Sequence, residues 1–168
     1  MLKNEKGAVK LCCGKWEAVV FPEIGMNLAS LRYNGEKILR EPDSFEILKD
    51  NSVVYGNPLQ LPNNRTHEGR FSFEGREYGL PITEPAHNNN IHGDLHHSPF
   101  TVSEQGDDFV RAFYENRGEI YPFPFRAEVE IRRSESGCEE NIKIVNTGER
   151  NCRCAEQRER SHGAAARS

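Results

Sequence analysis

The sequence predicts an all-β domain, and three observations carry that prediction. Phe125, Ala127, Val129 and Ile131 alternate with Arg126, Glu128, Glu130 and Arg132. That period of two gives a strand one face for a core and one for water. Gly and Pro number 14 and 9, which suits a turn-rich β chain better than a helical bundle. The other apolar text comes in short β-branched and aromatic runs broken by Gly, Pro and Asn.

In chain order, residues 16–21 and 26–33 read as strands separated by Pro22 and Gly25. Asp43 to Leu48 reads as one capped helical turn. Phe71-Ser-Phe73 and Arg76-Glu-Tyr78 flank Glu74-Gly75, a hairpin turn because Gly takes positive φ without penalty. Residues 101–103 and 109–114 flank a second turn at 104–108. Tyr121-Pro-Phe-Pro-Phe125 reads as an extended approach to the alternating strand, with a sugar-stacking platform as the lesser alternative. Ser134-Glu-Ser-Gly137 turns that strand into Ile142-Lys-Ile-Val145. Between residues 52 and 100 regular patterns are sparse. That stretch holds the Asn-rich runs and five of the six histidines, and long irregular segments in small domains are commonly functional.

A length of 168 residues fits one domain, and 37 of them are Leu, Ile, Val or Phe, just above the ~20% below which chains stay disordered. The core is therefore affordable but thin. Lys and Arg (22) are outnumbered by Asp and Glu (26) and scattered, which argues against a nucleic-acid partner. No apolar run approaches the ~18 residues of a membrane span. The start, Met-Leu-Lys-Asn-Glu-Lys, offers no apolar signal segment. Cys12, Cys13, Cys138, Cys152 and Cys154 are an odd set, read as reduced thiols in a cytoplasmic protein. Cys152-x-Cys154 lacks the spacer of a zinc pair.

Residues 146–168 contain no Val, Ile, Leu, Met, Phe, Tyr or Trp. A segment that cannot bury a face is expected to be disordered. The reading is thus a domain over residues 1–148 and a tail over 149–168. A reading frame lost near residue 150 is the sharper alternative for that tail.

Two constellations carry chemistry. In residues 55–69, Asn63, Asn64 and Arg65 occupy a turn-rich loop, and an Arg fork suits adjacent hydroxyls or a carboxylate; a surface Arg is the plain alternative. In residues 84–97, His92 stands after three asparagines, suited to hydrogen bonding or proton carriage at neutral pH. A metal set of His92, Asp94, His96 and His97 is disfavoured, because Gly93 and the Asn run oppose the helix that would align the histidines. His87, His96 and His97 are expected on the solvated surface. Glu68, Glu84, Asp94, Glu115 and Glu119 cannot be sorted by spacing.

At these residues the sequence resembles the aldose 1-epimerase (galactose mutarotase) family, over about residues 8–148. The resemblance runs through Asn27-Leu-Ala-Ser-Leu-Arg32, Gly56-Asn-Pro-Leu-Gln-Leu-Pro-Asn-Asn-Arg65, residues 69–78, Asn90-Ile-His-Gly93, Tyr121-Pro-Phe123 and Val145-Asn-Thr-Gly148. It implies a β-supersandwich, here incomplete, that binds a free hexose and interconverts its α and β anomers without metal or organic cofactor. One group takes the anomeric hydroxyl proton while another protonates the ring oxygen. The ring opens, C1–C2 rotates, and reclosure gives the other anomer. By position, Arg65 matches the substrate-binding arginine, with Asn64 beside it. His92 matches the histidine that holds sugar oxygens and stabilises charge at the ring oxygen.

Asp94 stands where the family has a Gly-rich step, and the family's second histidine and glutamate base have no counterparts in this text. Weak or absent catalysis and marginal solubility are therefore expected. A non-catalytic carbohydrate-binding module on the same scaffold is the alternative, and a metal-dependent cupin-like enzyme a third. The sequence leaves the oligomeric state open.

Overall fold

Alternation along the chain becomes two facing sheets in the computed structural model of the protein, which describes Leu2 and residues 5–151. The first sheet is antiparallel in the order β1 (Val9–Cys13), β2 (Trp16–Phe21), β3 (Asn27–Tyr33) and β4 (Glu36–Lys37). Helix α1 (Phe45–Asp50) follows, then a stretch with β5 (Arg65–His67), the hairpin β6 (Arg70–Phe73) and β7 (Arg76–Gly79), and β8 (Asn89–Ile91). The second sheet comprises β9 (Thr101–Gln105), β10 (Phe109–Asn116), β11 (Phe125–Ser134) and β12 (Gly137–Asn146). It is antiparallel in the order β12-β11-β10-β9.

The inner faces share one core. Leu11, Ala18, Val20 and Leu28 of the first sheet cluster with Val110, Ala112, Phe125, Ala127, Val129 and Ile131 of the second. Burying a Val-, Ile- or Phe-sized side chain contributes ~1.5–3 kcal/mol, so these positions dominate the sandwich. β11 alternates without a break between buried and half-buried positions, as its sequence predicts. The first sheet is covered on both faces. Val19 and Phe21 point away from the main core and pack with Ile24, Ala29 and Leu48 under α1. This explains why residues 18–21 read as an unbroken apolar run.

The predicted capped turn is α1, whose first turn is closed by the Ser44 hydroxyl accepting from the Ile47 N–H at 3.3 Å. The hairpins predicted around Glu74-Gly75, residues 104–108 and Ser134–Gly137 all form. β1, β4, β5 and β8 were not legible: β1 has one fully buried side chain, Leu11, and the others are three residues or shorter.

The approach to β11 is not simply extended. Asn116 is buried and donates to the carbonyls of Tyr121 (2.7 Å) and Phe123 (2.8 Å), while its Oδ1 accepts from Ile120 N–H at 3.1 Å. One amide folds residues 117–124 into a loop that buries Tyr121 and Phe123 in the core. Those two rings are therefore unavailable as a sugar platform, which corrects that alternative. The expected disorder of the tail falls, from residue 152 onward, outside the described residues.

Candidate functional site

The loops between the two sheets are pinned by three close approaches. Asn27, fully buried at the start of β3, donates to the carbonyls of Ser52 (3.1 Å) and Tyr55 (3.2 Å). Gly25 lies so close to the His96 backbone that a Cβ there would collide with it, and its N–H donates to Ser98 O at 2.9 Å. Gly93, at φ +60°, packs directly against the Leu61 carbonyl, where no side chain fits. The 56–64 loop and the 89–98 segment are thereby held against one another.

On this frame β5 and β8 pair antiparallel, with Arg65 opposite Ile91 and Thr66 opposite Asn90. Arg65, Asn64 and His92 come together at the end of that ribbon. The His92 N–H donates to Asn64 O at 2.9 Å, and the Asn64 N–H donates to His92 Nδ1 at 3.3 Å. The Asn64 side-chain oxygen accepts from the Arg65 N–H at 2.9 Å. Both Asn64 and His92 adopt left-handed backbone, at φ +64° and +62°. Non-glycine residues take that region at a cost, and such positions cluster at functional sites.

The electrostatics follow from two contacts. The Arg65 fork meets Glu84 through two bonds of 2.8 Å, and Asn89 adds a third to the same carboxylate at 3.1 Å. These donors, Arg65 first, hold the Glu84 carboxyl down at about 2. His87 stands 3.4 Å from the same group. Burial, and then the nearby Arg65 cation, lower His92 below its ordinary 6.5, with Glu84 opposing. His92 is thus neutral at pH 7. With Nδ1 accepting from Asn64, the ring proton resides on Nε2, which is then a hydrogen-bond donor.

Sequence reasoning placed Glu84 among carboxylates that could not be sorted. Its pairing with Arg65 needs the turn at Pro85–His87 and the Glu84–Asn89 bridge, neither of which has a strong local signal. Among the described residues no hydrogen bond joins Asn63 to the group.

His96 is a correction. It was expected on the surface but is only 6% exposed, with Nδ1 2.8 Å from the Ser52 hydroxyl. The close approach at Gly25 draws its backbone inward, and Ser52 satisfies the ring. Burial lowers its pKa to about 4. His87 and His97 are exposed as expected. One group among the described residues has metal-ligand types together: Asp94, His96 and His97, with ligand atoms within 4.8 Å of one another. His96 reaches that group with one nitrogen already engaged by Ser52.

Two antiparallel sheets around one core, with an Arg/His ribbon in the segment that joins them, define an all-β sandwich. The Aldose 1-epimerase family profile matches residues 8–151. The chain belongs to the aldose 1-epimerase family. Among solved structures, it is similar to a galactose mutarotase-like protein from Clostridium acetobutylicum, with 29% identity and TM-score 0.75. That alignment covers 83% of this chain and 45% of that one. A putative aldose 1-epimerase from Escherichia coli K12 shares 22% identity and TM-score 0.69, over 84% of this chain and 46% of that one. Galactose 1-epimerase from Lactobacillus acidophilus NCFM shares the fold at 16% identity and TM-score 0.64, over 79% and 41%. The chain spans less than half the length of each of these structures. No helix among the described residues is long and apolar enough to cross a membrane.

Proposed function

We propose that residues 1–148 are a portion of a mutarotase-type sandwich, and that Arg65, Asn64 and His92 hold a hexose for anomer interconversion. The observation that carries this reading is the Asn64–His92 bond. It supports a neutral imidazole with its proton on Nε2, the form able to donate to a sugar oxygen and to stabilise charge developing there. Beside it, the Arg65 fork keeps donors that Glu84 does not occupy and suits adjacent hydroxyls. No organic cofactor is needed for this chemistry, since two proton transfers open and close the ring. Among the described residues Cys12, Cys13 and Cys138 are free thiols, which fits a reducing, cytoplasmic setting.

One observation favours the binding-only reading. Glu84, the carboxylate of this site, sits at about 2 and is a poor proton acceptor near neutrality. The base for turnover would have to be another group. Freshly dissolved α-D-galactose and α-D-glucose, followed by polarimetry beside a His92→Ala control, separate the readings. Acceleration lost in the control supports anomer isomerisation. Sugar-dependent shifts of the His92 ring signals without acceleration support a binding module. With neither, both readings fall.

A further inference from the structure

Arg65 and Glu84 meet edge to edge. The guanidinium donates from Nε to one carboxylate oxygen and from Nη2 to the other, each at 2.8 Å. Because the group is planar, this pairing spends its Nε–Nη2 edge and leaves donors on the Nη1–Nη2 edge. No hydrogen bond among the described residues engages Nη1, and the Arg65 side chain is half exposed, at 52%. Glu84 is the more enclosed partner, at 18%. Asn89 donates at 3.1 Å to the oxygen that Nε reaches, and His87 Nδ1 stands 3.4 Å from the other oxygen.

The Glu84 carboxylate is thus fixed in place by three hydrogen bonds. It is also fixed in charge, since those donors hold it at about 2 and so ionised throughout the neutral range. The two charges act on the His92 ring in opposite senses, Arg65 lowering its pKa and Glu84 raising it. The site therefore carries a donor fork with almost no net positive charge. An unpaired Arg prefers carboxylate and phosphate, and here a carboxylate of the same chain already occupies that role. An incoming anion is drawn by the guanidinium and repelled by Glu84 at similar range, so the two effects largely cancel. An uncharged hydroxyl meets only the open donor edge.

We infer that Glu84 determines the ligand class of this site. It cancels the charge of Arg65 while leaving one guanidinium edge for hydroxyls, so an uncharged hexose is accepted and a sugar bearing a carboxylate or phosphate is turned away. The inference rests on the reading of Arg65, Asn64 and His92 as a hexose site. Glu84 acts through Arg65, as a positioning and charge-compensating residue, and takes no proton from the sugar.

The test titrates the full chain, nitrogen-labelled at arginine and histidine, with D-galactose, D-galacturonate and inorganic phosphate. Binding is read by NMR at Arg65 Nε and the His92 ring. The wild type binds galactose at least about tenfold more tightly than galacturonate, and phosphate leaves Arg65 Nε unmoved. Glu84→Gln, similar in shape but uncharged, gains about tenfold for galacturonate and keeps galactose within about threefold. Phosphate now shifts Arg65 Nε. Glu84→Asp retains the charge and the rejection although its shorter reach weakens the paired bonds, a result that a merely structural role would not give. The backbone bonds between Glu84 and Asn89 do not involve the side chain, and Glu84→Ser repeats the comparison if Glu84→Gln fails to fold. Equal binding of galactose and galacturonate by the wild type overturns the inference. So does a charge-removing substitution that leaves the galacturonate and phosphate responses unchanged, or a Glu84→Asp protein that loses rejection as fully as Glu84→Gln. If galactose does not bind, the hexose reading falls, and the phosphate response alone decides whether Glu84 cancels the charge of Arg65.

Discussion

His92 owes its state to neighbours, not to its own chemistry. Its Nδ1 takes a backbone N–H, its ring is half-buried, and Arg65 stands close by, and each of these favours the neutral form. Nitrogen-detected NMR should show His92 neutral at pH 7 with the proton on Nε2 and a pKa below 6.5. Arg65→Met removes a cation and should move that pKa upward; an unchanged pKa would mean that the arginine field does not reach the ring. Glu84 is the complementary case. It should remain ionised down to about pH 2, and the Arg65–Glu84 pair, fully formed above the unfolded carboxyl range, should come apart only as pH falls through that value.

At the scale of elements, legibility tracked how much each segment buries by its own pattern. β11 and the hairpins were readable because period-two alternation and Gly turns are local signals, and Ser44 marked the start of α1 in the same way. The β5–β8 ribbon was not readable. Its three residues per strand are held by distant contacts at Asn27, Gly56 and Gly93, and no window of sequence records a contact across 30 residues. The same gap hid Glu84 as the partner of Arg65 and His96 as a buried ring, although Arg65, Asn64 and His92 themselves were marked by their motifs. Gly93→Ala should therefore cost about 2–4 kcal/mol, from positive φ and collision with the Leu61 carbonyl. It should also release the His92 loop. Denaturant melts would measure the first effect and loss of the His92 pKa shift the second. A stability change under 0.5 kcal/mol would mean the loop does not depend on this contact.

Across the whole molecule, His96 couples stability to acidity. Its pKa is about 4 when folded and about 6.5 when unfolded, so the unfolded chain binds the proton more tightly. The contribution is complete above about pH 6.5 and is lost as pH falls towards 4, with an upper size of about 3 kcal/mol. Melting temperature should fall through that window, and Ser52→Ala should lower it at pH 7 by freeing the ring bond. A flat profile between pH 7 and 4 would place His96 in water instead.

Trp16, the single tryptophan of the chain, sits where the two sheets meet. Its ring lies 4.6 Å from the Tyr33 ring and 4.6 Å from the buried Arg133 guanidinium, and its Nε1 donates to Glu135 O in the β11–β12 turn at 3.2 Å. One indole thus spans 119 residues of sequence and both halves of the sandwich. The intrinsic emission of this protein is consequently a one-point optical gauge of sheet-to-sheet closure. Loops or the α1 layer can loosen without moving that emission, while any parting of the sheets at this end wets the ring and shifts its colour.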